Sequence, residues 1–368
     1  MPEQKVQRSS VVPAWVSAEG PANDVALSTR ARLARNIKDI PFPTRARNAD
    51  LRRVVDLVLD TVSDSDDTFR RGGRIGKLRV IRPSHLSQFD RLALVDARVA
   101  SRQQVDGGSY RPVVLNETGT LSLMVNEEDH LRIQCILPGL QPMMALQMAQ
   151  EFDNFISSKI GYAQTDNYGY LTSSLANVGT GLRLSVMLHL AGLAFLEEVV
   201  PALKAAIELK ISVRGLFGEG TRAFGDVYQV SNDAAIGFSE KEITSRVRAA
   251  AEHLVSRERE ARRKLVGQKK KELCEVVGQV ESKLMEARAL SGTEAMEHLS
   301  ILRLGDGLGI GPNLSTRVFS ELMVSMGLGI SASGRRAMES VGSDVKRAKL
   351  VREKLIEGHE AVQSVFPE

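Results

Sequence analysis

The chain has 368 residues, of which 43% are hydrophobic and 26% charged, with a formal net charge of +4. This is the composition of a globular protein long enough for two domains, and so mild a charge does not indicate nucleic-acid binding. Residues 1–15 lack the apolar core of a signal peptide, and the most apolar later stretch, 186–195, is too short to span a membrane. The sequence predicts a cytoplasmic protein that binds neither membranes nor nucleic acid.

Cysteine and histidine usage argues against a metal centre built by the protein. Cys135 and Cys274 are far apart in sequence, which gives neither a disulfide framework nor a zinc spacing. The six His residues match no ligand pattern. We expect no metal site formed by side chains, and we expect both cysteines to be small buried hydrophobic residues.

The N-terminal part combines a polar arm with a basic segment. Residues 1–23 are expected to form a loosely docked arm that carries Trp15, the only tryptophan. A short strand is predicted over 25–27. Arg30 and Arg32 lie two apart on the extended segment that follows, so their side chains project to the same side. A solvated basic strand is the alternative interpretation.

Hydrophobic periodicity predicts strands and helices up to about residue 264 and helices alone beyond it, which indicates an α+β protein. The predicted strands cover residues 78–81, 121–125, 131–137, 210–219 and 226–231. The predicted helices cover residues 50–62, 142–160, 197–209 and 239–264, the last opened by a capping box. Residues 72–78 and 305–311 are glycine-rich but lack phosphate-loop and dinucleotide spacings, so we interpret them as connections. We divide the chain into an arm (1–23), a first domain of strands and helices (24–260) and an all-α C-terminal domain (265–368).

An acidic turn lies between the two predicted strands 121–125 and 131–137. Residues 125–132 read VNEEDHLR, with Glu128 at the centre of three consecutive acidic residues. Such carboxylates repel one another, so we expect a cation nearby. A solvated acidic turn is the alternative.

Five arginines and two carboxylates sit beside strand–turn junctions. The carboxylates are Glu128 and Glu219, and the arginines are Arg30, Arg32, Arg132, Arg183 and Arg214. Arginines that share a cleft repel one another unless a polyanion fills it, and a nucleoside triphosphate with Mg²⁺ would fit. A carboxylate pair could hold a guanidinium bidentately and remove a proton from it.

The segments STRARLARN (28–36), VNEEDHLRI (125–133), GYLTSSLANVGTGLR (169–183) and RGLFGEG (214–220) together resemble the ATP:guanidino phosphotransferases, or phosphagen kinases. The resemblance implies that Glu128 and Glu219 bind and activate the guanidinium of the acceptor. It also implies that residues 24–260 are the catalytic domain, with an antiparallel sheet flanked by helices, and that this domain contacts ATP, with Mg²⁺ held through the phosphates and water. The implied ATP-binding residues are Ser28, Thr29, Arg30, Ala31, Arg32, Arg98, Arg132, Arg183, Leu184, Ser185, Val186, Met187, Arg214, Gly215, Leu216, Phe217 and Gly218.

The domain order resembles one branch of that family, the bacterial protein-arginine kinases. The STRAR motif begins at Ser28, which leaves no room for a preceding helical domain, and a helical domain follows instead. The resemblance implies protein substrates with exposed arginines, a Clp-type chaperone-protease and an activator protein as partners, and a homodimer. It also implies phosphoarginine binding by a C-terminal motif, here Ser343, Asp344, Arg347 and Ala348. A helix cap with solvated charges is the alternative for that motif.

Three positions depart from the family pattern. Ser174 replaces the reactive cysteine, Leu175 follows where proline is usual, and Arg98 replaces a nucleotide-contacting histidine. The sequence also lacks the first arginine of the C-terminal motif, where Ser343 stands. We predict a protein-arginine kinase with slower chemistry or a shifted pH optimum. The alternatives are a weak or silent phosphoarginine-binding adaptor and a kinase for a free small guanidino compound.

Overall fold

The computed structural model describes residues 14–63, 74–208, 210–215, 223–325 and 341–365. Its helices are α1 (Ala14–Ser17), α2 (Asn48–Ser63), α3 (Gln88–Asp96), α4 (Arg102–Asp106), α5 (Pro142–Ser157), α6 (Ala191–Phe195), α7 (Val199–Glu208), α8 (Glu240–Gln268), α9 (Lys270–Glu286), α10 (Gly292–Asp306), α11 (Thr316–Ser325) and α12 (Val341–Val365). Its strands are β1 (Ala26–Arg35), β2 (Leu78–Ile81), β3 (Val113–Asn116), β4 (Leu121–Val125), β5 (Leu131–Pro138), β6 (Gln164–Thr165), β7 (Gly169–Tyr170), β8 (Leu182–His189), β9 (Ile211–Gly215) and β10 (Val227–Asn232).

An eight-stranded sheet with the order β2-β3-β4-β5-β1-β8-β10-β9 forms the centre of the described structure, and its neighbouring strands are antiparallel. Because side chains alternate between the two faces of a strand, one face is largely apolar, whereas the other carries Arg30 and its neighbouring arginines together with apolar side chains such as Met124 and Met187. Leu33, Ile133 and Leu184 on the apolar face pack into a core with residues of α2, α5 and α8. The α+β class predicted from the sequence is confirmed.

Strand β1 is much longer than the strand predicted over 25–27, and that prediction was wrong in extent. β1 continues through the Ser-Thr-Arg-Ala-Arg run to Arg35 and pairs with β5 on one side and β8 on the other. Ala31 and Leu33 are fully buried in the core, while Arg30 and Arg32 occupy the alternate positions on the polar face. A central strand can therefore carry two arginines.

The other predicted elements of this part are confirmed with shifted ends, except one strand. The helix predicted over 197–209 is α7, which begins at Val199, and Glu197, with a φ of 59°, separates it from the short helix α6, which was not predicted. The strand predicted over 210–219 ends at Gly215 as β9, and residues 216–222 lie outside the described residues. The predicted capping box is present, since the Ser239 hydroxyl accepts a hydrogen bond from the Glu242 N–H and the Glu242 carboxylate accepts one from the Ser239 N–H.

The C-terminal helices build a second hydrophobic core against the sheet. Residues of α9, α10, α11 and α12 pack in one cluster with Leu27 of β1, Met187 of β8 and Val227 of β10. A buried hydrogen-bond chain crosses the same seam: His189 Nε2 lies 2.9 Å from Ser300 Oγ, which donates to Asp226 Oδ2. Helix α8 continues to Gln268, past the predicted boundary, and the domain limits stay predictions.

Two expectations about single residues differ from the structure. Trp15 is only 6% exposed and packs with Val16 and Ile136, so the described end of the arm is docked rather than loose. Cys274 is exposed, whereas Cys135 is buried as expected. Cys274 lies on the solvent side of α9, whose buried side is formed by Leu273, Val277, Val280 and Leu284. No helix in the described part of the chain is both long and apolar enough to span a membrane.

Arg35, at the end of β1, is fully buried and organises the loop before β8. Its guanidinium donates two hydrogen bonds to Asp153, at 3.0 and 2.7 Å, and one to the Thr180 carbonyl at 2.9 Å. It also stacks 3.6 Å from the ring centroid of Tyr170. Gly181 has a φ of +66°, and a Cβ there would lie 2.3 Å from Arg35 Nη1, so glycine lets the loop close over the guanidinium.

Replacing Arg35 by methionine is expected to destabilise the fold by about 3–5 kcal/mol, because the buried Asp153 carboxylate loses its cation. Urea denaturation measures the change. The double variant Arg35→Met/Asp153→Leu should cost less than Arg35→Met alone, since it leaves no stranded charge. Arg248→Met, which breaks an exposed pair with Glu252, is the control and should cost less than about 1 kcal/mol. Equal losses of stability in Arg35→Met and Arg248→Met would contradict the structural role assigned to Arg35.

Candidate active site

The acidic turn between β4 and β5 is held by buried polar contacts. Asn126 has a φ of 56°, which asparagine tolerates better than most residues, and its side chain donates to the carbonyls of Leu51 and Tyr110. His130 Nδ1 accepts the Ile37 N–H at 3.0 Å. Burial lowers the pKa of His130 to about 4, so the imidazole is neutral. These contacts fix the turn from both ends.

The three acidic side chains of the turn have three different environments. Glu127 is buried and forms an ion pair with Arg132, the cation expected beside the acidic run. Asp129 is buried and accepts hydrogen bonds from the Asn36 side chain at 2.6 Å and the Ser173 N–H at 2.7 Å. Glu128 is half-buried and lines a cavity. The alternative of a solvated acidic turn is wrong, because two of the three carboxylates are buried and hydrogen-bonded.

The environments shift the two glutamate pKa values in opposite directions. Burial, followed by the charge of Asp129, raises the pKa of Glu128 above its ordinary value of 4.5. Burial also acts to raise the pKa of Glu127, but Arg132 and hydrogen bonds from Ser101 and the Glu128 N–H outweigh it and hold that pKa below 4.5. Glu127 is therefore a fixed counter-ion, and Glu128 is the more basic carboxylate.

A second loop is tied to this turn through Ser173. Its N–H donates to Asp129, and its hydroxyl donates to the Glu128 carbonyl at 2.8 Å. The next residue, Ser174, therefore reaches the same cavity as Glu128. Leu175 points outward and is 85% exposed.

The cavity has a volume of about 110 Å³ and joins the carboxylate to the arginines. It is lined by Arg32, Ala34, Glu128, Asp129, Arg132, Ser174, Asn177, Gly181 and Arg183. Glu128 and Ser174 thus share one space with three of the five predicted phosphate-binding arginines.

The polar face of the sheet concentrates positive charge. Strand register places Arg32 directly opposite Arg183, and both flank Arg30. Burial, then the charges of Arg98, Arg132 and Arg183, lowers the pKa of Arg30 to about 9. Burial and neighbouring arginines also lower the pKa values of Arg32 and Arg183, and neither Nε has a hydrogen-bond partner. All remain cations at neutral pH, and an anion in the cleft would relieve both their repulsion and their desolvation.

Two further predicted ATP residues contact each other beside this face. Arg98, with a φ of 59°, donates from Nη1 to Met187 Sδ at 2.7 Å. Burial lowers the pKa of Arg98 to about 10. Ser28 and Ser185 are buried on the same face of the sheet as Arg30.

Other predicted ATP residues do not face the cleft. Ala31, Leu184 and Val186 are fully buried in the core on the opposite face. Thr29 is also fully buried, and its hydroxyl donates to the Gly139 carbonyl. These four residues belong to the matching motifs, but the motifs lie on strands, and only alternate side chains of a strand face the cleft.

The second predicted carboxylate, Glu219, lies outside the described residues, as do Leu216, Phe217 and Gly218. Strand β9 ends before them with Arg214, which is exposed, and Gly215. The charge of Arg214 contributes to the lowered pKa of Arg183, which brings this arginine into the field of the cluster.

Sequence reasoning missed three residues of the site. Asn177 lines the cavity, Asp129 anchors the Ser173 loop, and Gln229 accepts a hydrogen bond from Arg30 Nη2 at 3.4 Å. Asn177 lies in the same motif as Ser174, so its place in that motif could have identified it as a site residue. Gln229 reaches Arg30 only through the pairing of β10 with β8, which the sequence does not display.

The C-terminal motif is largely engaged in internal contacts. Arg347 is buried, and its Nη1 donates to Asp344 Oδ1 at 2.6 Å and to the Leu290 carbonyl at 2.5 Å. Ala348 is fully buried in the second core, and the Ser343 side chain lies outside the described residues. Phosphoarginine binding by this motif stays a prediction.

The site suits a metal that arrives with its ligand rather than one held by side chains. In the described ranges, no three His, Cys, Asp or Glu residues are grouped as ligands for a metal ion. The buried guanidinium N–H groups without partners match the oxygens of a polyphosphate, and Mg²⁺ bound to such a ligand needs few protein contacts.

Comparisons with known sequences agree with this geometry. Residues 63–261 match the family "ATP:guanido phosphotransferase, C-terminal catalytic domain", and residues 270–364 match "Protein-arginine kinase McsB C-terminal domain". A protein-arginine kinase of Geobacillus sp. (strain WCH70) is 36% identical over 348 residues, which cover 94% of this chain and 95% of that protein. One of Moorella thermoacetica is 38% identical over 342 residues, covering 93% and 97%.

Solved structures share the fold at lower identity. A lombricine kinase crystal structure has a TM-score of 0.55 and 23% identity, covering 70% of this chain and 71% of that one. The duplicated taurocyamine kinase from Schistosoma mansoni, with bound transition-state analogue components, has a TM-score of 0.57 and 20% identity, covering 73% and 39%.

Substituting the two adjacent glutamates should change stability in opposite directions at pH 7. Glu127→Gln is expected to cost about 3 kcal/mol, because Arg132 loses its buried counter-ion. Glu128→Gln should stabilise slightly, by less than about 1 kcal/mol, because it removes a partly desolvated charge that water still screens. Urea denaturation at several pH values measures both.

The pH dependence provides the check. The folded-state pKa of Glu127 is depressed, so its contribution is present above pH 4.5 and is lost as the pH falls through that lower pKa. The folded-state pKa of Glu128 is raised, so its destabilising charge is present above that pKa and disappears as the pH falls below 4.5. Equal signs for the two variants at pH 7 would refute the division of roles.

Proposed function

Because the chain belongs to the ATP:guanido phosphotransferase family, we propose that it acts as a protein-arginine kinase, transferring the γ-phosphoryl group of MgATP to arginine side chains of proteins. The observation that carries the proposal is the single cavity in which Glu128 meets Arg32, Arg132 and Arg183. A carboxylate of raised pKa and a cationic clamp in one space are what transfer between a triphosphate and a guanidinium requires.

The arginine face would bind the triphosphate. Arg30, Arg32 and Arg183 carry half-buried charges that repel one another, so their free energy falls when a polyanion enters. Arg132 is already paired with Glu127, which orients its fork without neutralising the rest of the cluster. Mg²⁺, held through the phosphates and water, supplies further neutralisation of phosphate charge. The remaining work of the chain is to fix the phosphate chain in line with the acceptor nitrogen.

Glu128 would act on the acceptor. A guanidinium is protonated at neutral pH because its pKa lies far above 7, so a base must take its proton as the nitrogen–phosphorus bond forms. Glu128 can hold the planar guanidinium through hydrogen bonds, and its raised pKa makes it a better base than an ordinary carboxylate. We assign Glu219 the role of a second carboxylate that completes this grip, on the strength of the family motif around it.

Ser174 would provide only hydrogen bonding at the place where the family has a cysteine. A thiolate there favours the guanidinium cation electrostatically, whereas a hydroxyl carries no charge. Because Ser174 lines the cavity beside Glu128, its effect should fall on the transfer step.

Two alternatives are weaker. A kinase for a free guanidino compound accounts for the cavity but not for the C-terminal region shared with protein-arginine kinases. A catalytically silent phosphoarginine adaptor needs an available C-terminal motif, yet the Arg347 Nη1 donor is engaged by Asp344 and by the Leu290 carbonyl. A phosphoryl group would have to replace those bonds, and the intact catalytic cavity favours the enzyme.

The finer parts of the proposal concern partners and location. We include a homodimer, a Clp-type chaperone-protease that receives the modified proteins, an activator protein and a cytoplasmic site of action. They are supported by the resemblance of the domain order to the protein-arginine kinase branch. Phosphoarginine binding by Asp344, Arg347 and neighbouring residues belongs to the same group.

Glu128→Gln should lower the rate of phosphoarginine formation by about 10²- to 10⁴-fold, because the acceptor loses its base. Casein incubated with MgATP and analysed by acid-free mass spectrometry measures phosphorylation on arginine. A coupled ADP assay with free arginine, run in parallel, separates the protein acceptor from a small one. Glu208→Gln, a change on the exposed end of α7, is the matched control.

A wild-type rate in the Glu128 variant would sink the assigned role. Absence of phosphoarginine from the folded, ATP-binding wild type would favour the adaptor. Turnover of free arginine without phosphorylation of casein would favour the small-guanidine kinase.

Ser174→Cys should raise the transfer rate by about tenfold, equivalent to about 1.4 kcal/mol of transition-state stabilisation, because a thiolate then faces the acceptor guanidinium. The gain should follow thiolate formation and grow with pH. Initial rates of phosphorylation between pH 6 and 9 measure it. Ser173→Cys, one residue away with its hydroxyl on the Glu128 carbonyl, is the control and should lower the rate. A loss of rate in the Ser174 variant would mean that the hydroxyl has a positive role.

A further inference from the structure

The only tryptophan of the chain packs beside the proposed nucleotide site. Trp15, on α1, is 6% exposed, and its indole N–H donates to the Ala97 carbonyl at 3.4 Å. Its ring lies 5.9 Å from the guanidinium carbon of Arg98, within the range of a cation–π interaction. The arm therefore contacts both the side chain of Arg98 and the peptide that precedes it.

Arg98 is held in an unusual backbone conformation by several contacts. Its φ of 59° is uncommon for a residue with a side chain, and its carbonyl accepts a hydrogen bond from Gln134 at 2.7 Å. Its Nη1 donates to Met187 at 2.7 Å. Gln134 thus fixes the backbone of Arg98, while Trp15 and Met187 contact its guanidinium and hold it in place.

The same contacts place Arg98 within the field of the phosphate-binding arginines. After burial, the charge of Arg98 is the largest cause of the lowered pKa of Arg30. Ile136, which packs with Trp15, lies directly opposite Arg30 in the pairing of β1 with β5. The indole thus packs against the sheet face that carries the arginines, at the residue paired with Arg30.

The C-terminal part supports the arm from the other side. Trp15 and Val16 line a narrow cleft together with Leu27, Thr316 and Ser320, the last two on α11. The indole is therefore enclosed between the sheet and a helix of the C-terminal region. A side chain enclosed in this way loses little further entropy when its neighbour binds a ligand.

We propose that Trp15 is a positioning residue for the nucleotide: it aims the guanidinium of Arg98 at the phosphates of ATP. This inference rests on the proposed function, because it requires a nucleoside triphosphate on the arginine face. The stacked indole offsets part of the cost of holding Arg98 beside Arg30 while the cleft is empty. Loss of the aromatic face should weaken nucleotide binding and leave the acceptor side, with Glu128, unaffected.

Substitution of Trp15 tests the proposal through the split between KM and kcat. Trp15→Leu should raise KM for ATP about five- to tenfold, with kcat and KM for casein within about twofold of the wild type. Trp15→Phe keeps an aromatic face and should recover most of the loss. Phe195→Leu, which removes the contact of an aromatic ring with Lys269 at another place, is the matched control and should leave KM for ATP unchanged.

Intrinsic fluorescence gives a second measurement that needs no substitution of Trp15. Because the chain has one tryptophan, MgADP bound at Arg98 should change its emission in a saturable way. Arg98→Met should abolish that change. Circular dichroism and thermal melting establish that each variant is folded.

Three results would overturn the proposal. One is an unchanged KM for ATP in folded Trp15→Leu, and another is MgADP binding by calorimetry without any change in emission. Either would leave the kinase assignment standing. The third is a wild type that neither binds MgADP nor phosphorylates casein, which would overturn the proposed function and this inference together.

Discussion

Repulsion among half-buried guanidinium groups is the constraint on which the rest of the site depends. Arg30, Arg32, Arg132 and Arg183 share one face of the sheet, and within the described ranges only Arg132 contacts a carboxylate. A face of this kind is unfavourable in isolation and is tolerated because the opposite face forms a continuous apolar core. The uncompensated positive charge of the cleft therefore lowers the stability of the fold until an anion binds. Active sites commonly reduce the stability of the scaffold that carries them in this way.

The acceptor side of the cleft is built in the opposite way, from satisfied polar contacts. Asp129 joins the side chain of Asn36 to the N–H of Ser173, and Ser173 donates in turn to the Glu128 carbonyl. Arg35, the last residue of β1 and the neighbour of Asn36, donates to the Thr180 carbonyl and so holds the loop before β8. Three segments distant in sequence therefore meet at the end of β1, and Glu128 is left as the half-exposed member of a rigid arrangement. Such rigidity is what positions a base within reach of its proton.

The sequence predicted the α+β class, most elements and the residues around the cavity, because motif spacing and periodicity are local signals. It failed where the answer depended on strand alternation or pairing. The predicted strand ended at Leu27, yet β1 continues through the Ser-Thr-Arg-Ala-Arg run, where Ala31 and Leu33 point into the core between the arginines. For the same reason Ala31, Leu184 and Val186 belong to a matching motif without facing the cleft. Gln229 and Trp15 reach the site only through tertiary packing, for which a single sequence gives no pattern.

The second hydrophobic core has a consequence for modularity. Leu27, Met187 and Val227 belong to the strands of the sheet, yet they are buried among residues of α9, α10, α11 and α12. The seam also encloses His189, Ser300 and Asp226 in one hydrogen-bond chain. Excision of the C-terminal helices would expose apolar side chains on the strands that carry Arg30 and Arg183. A version of the sheet that stands without these helices would therefore need polar side chains at those strand positions.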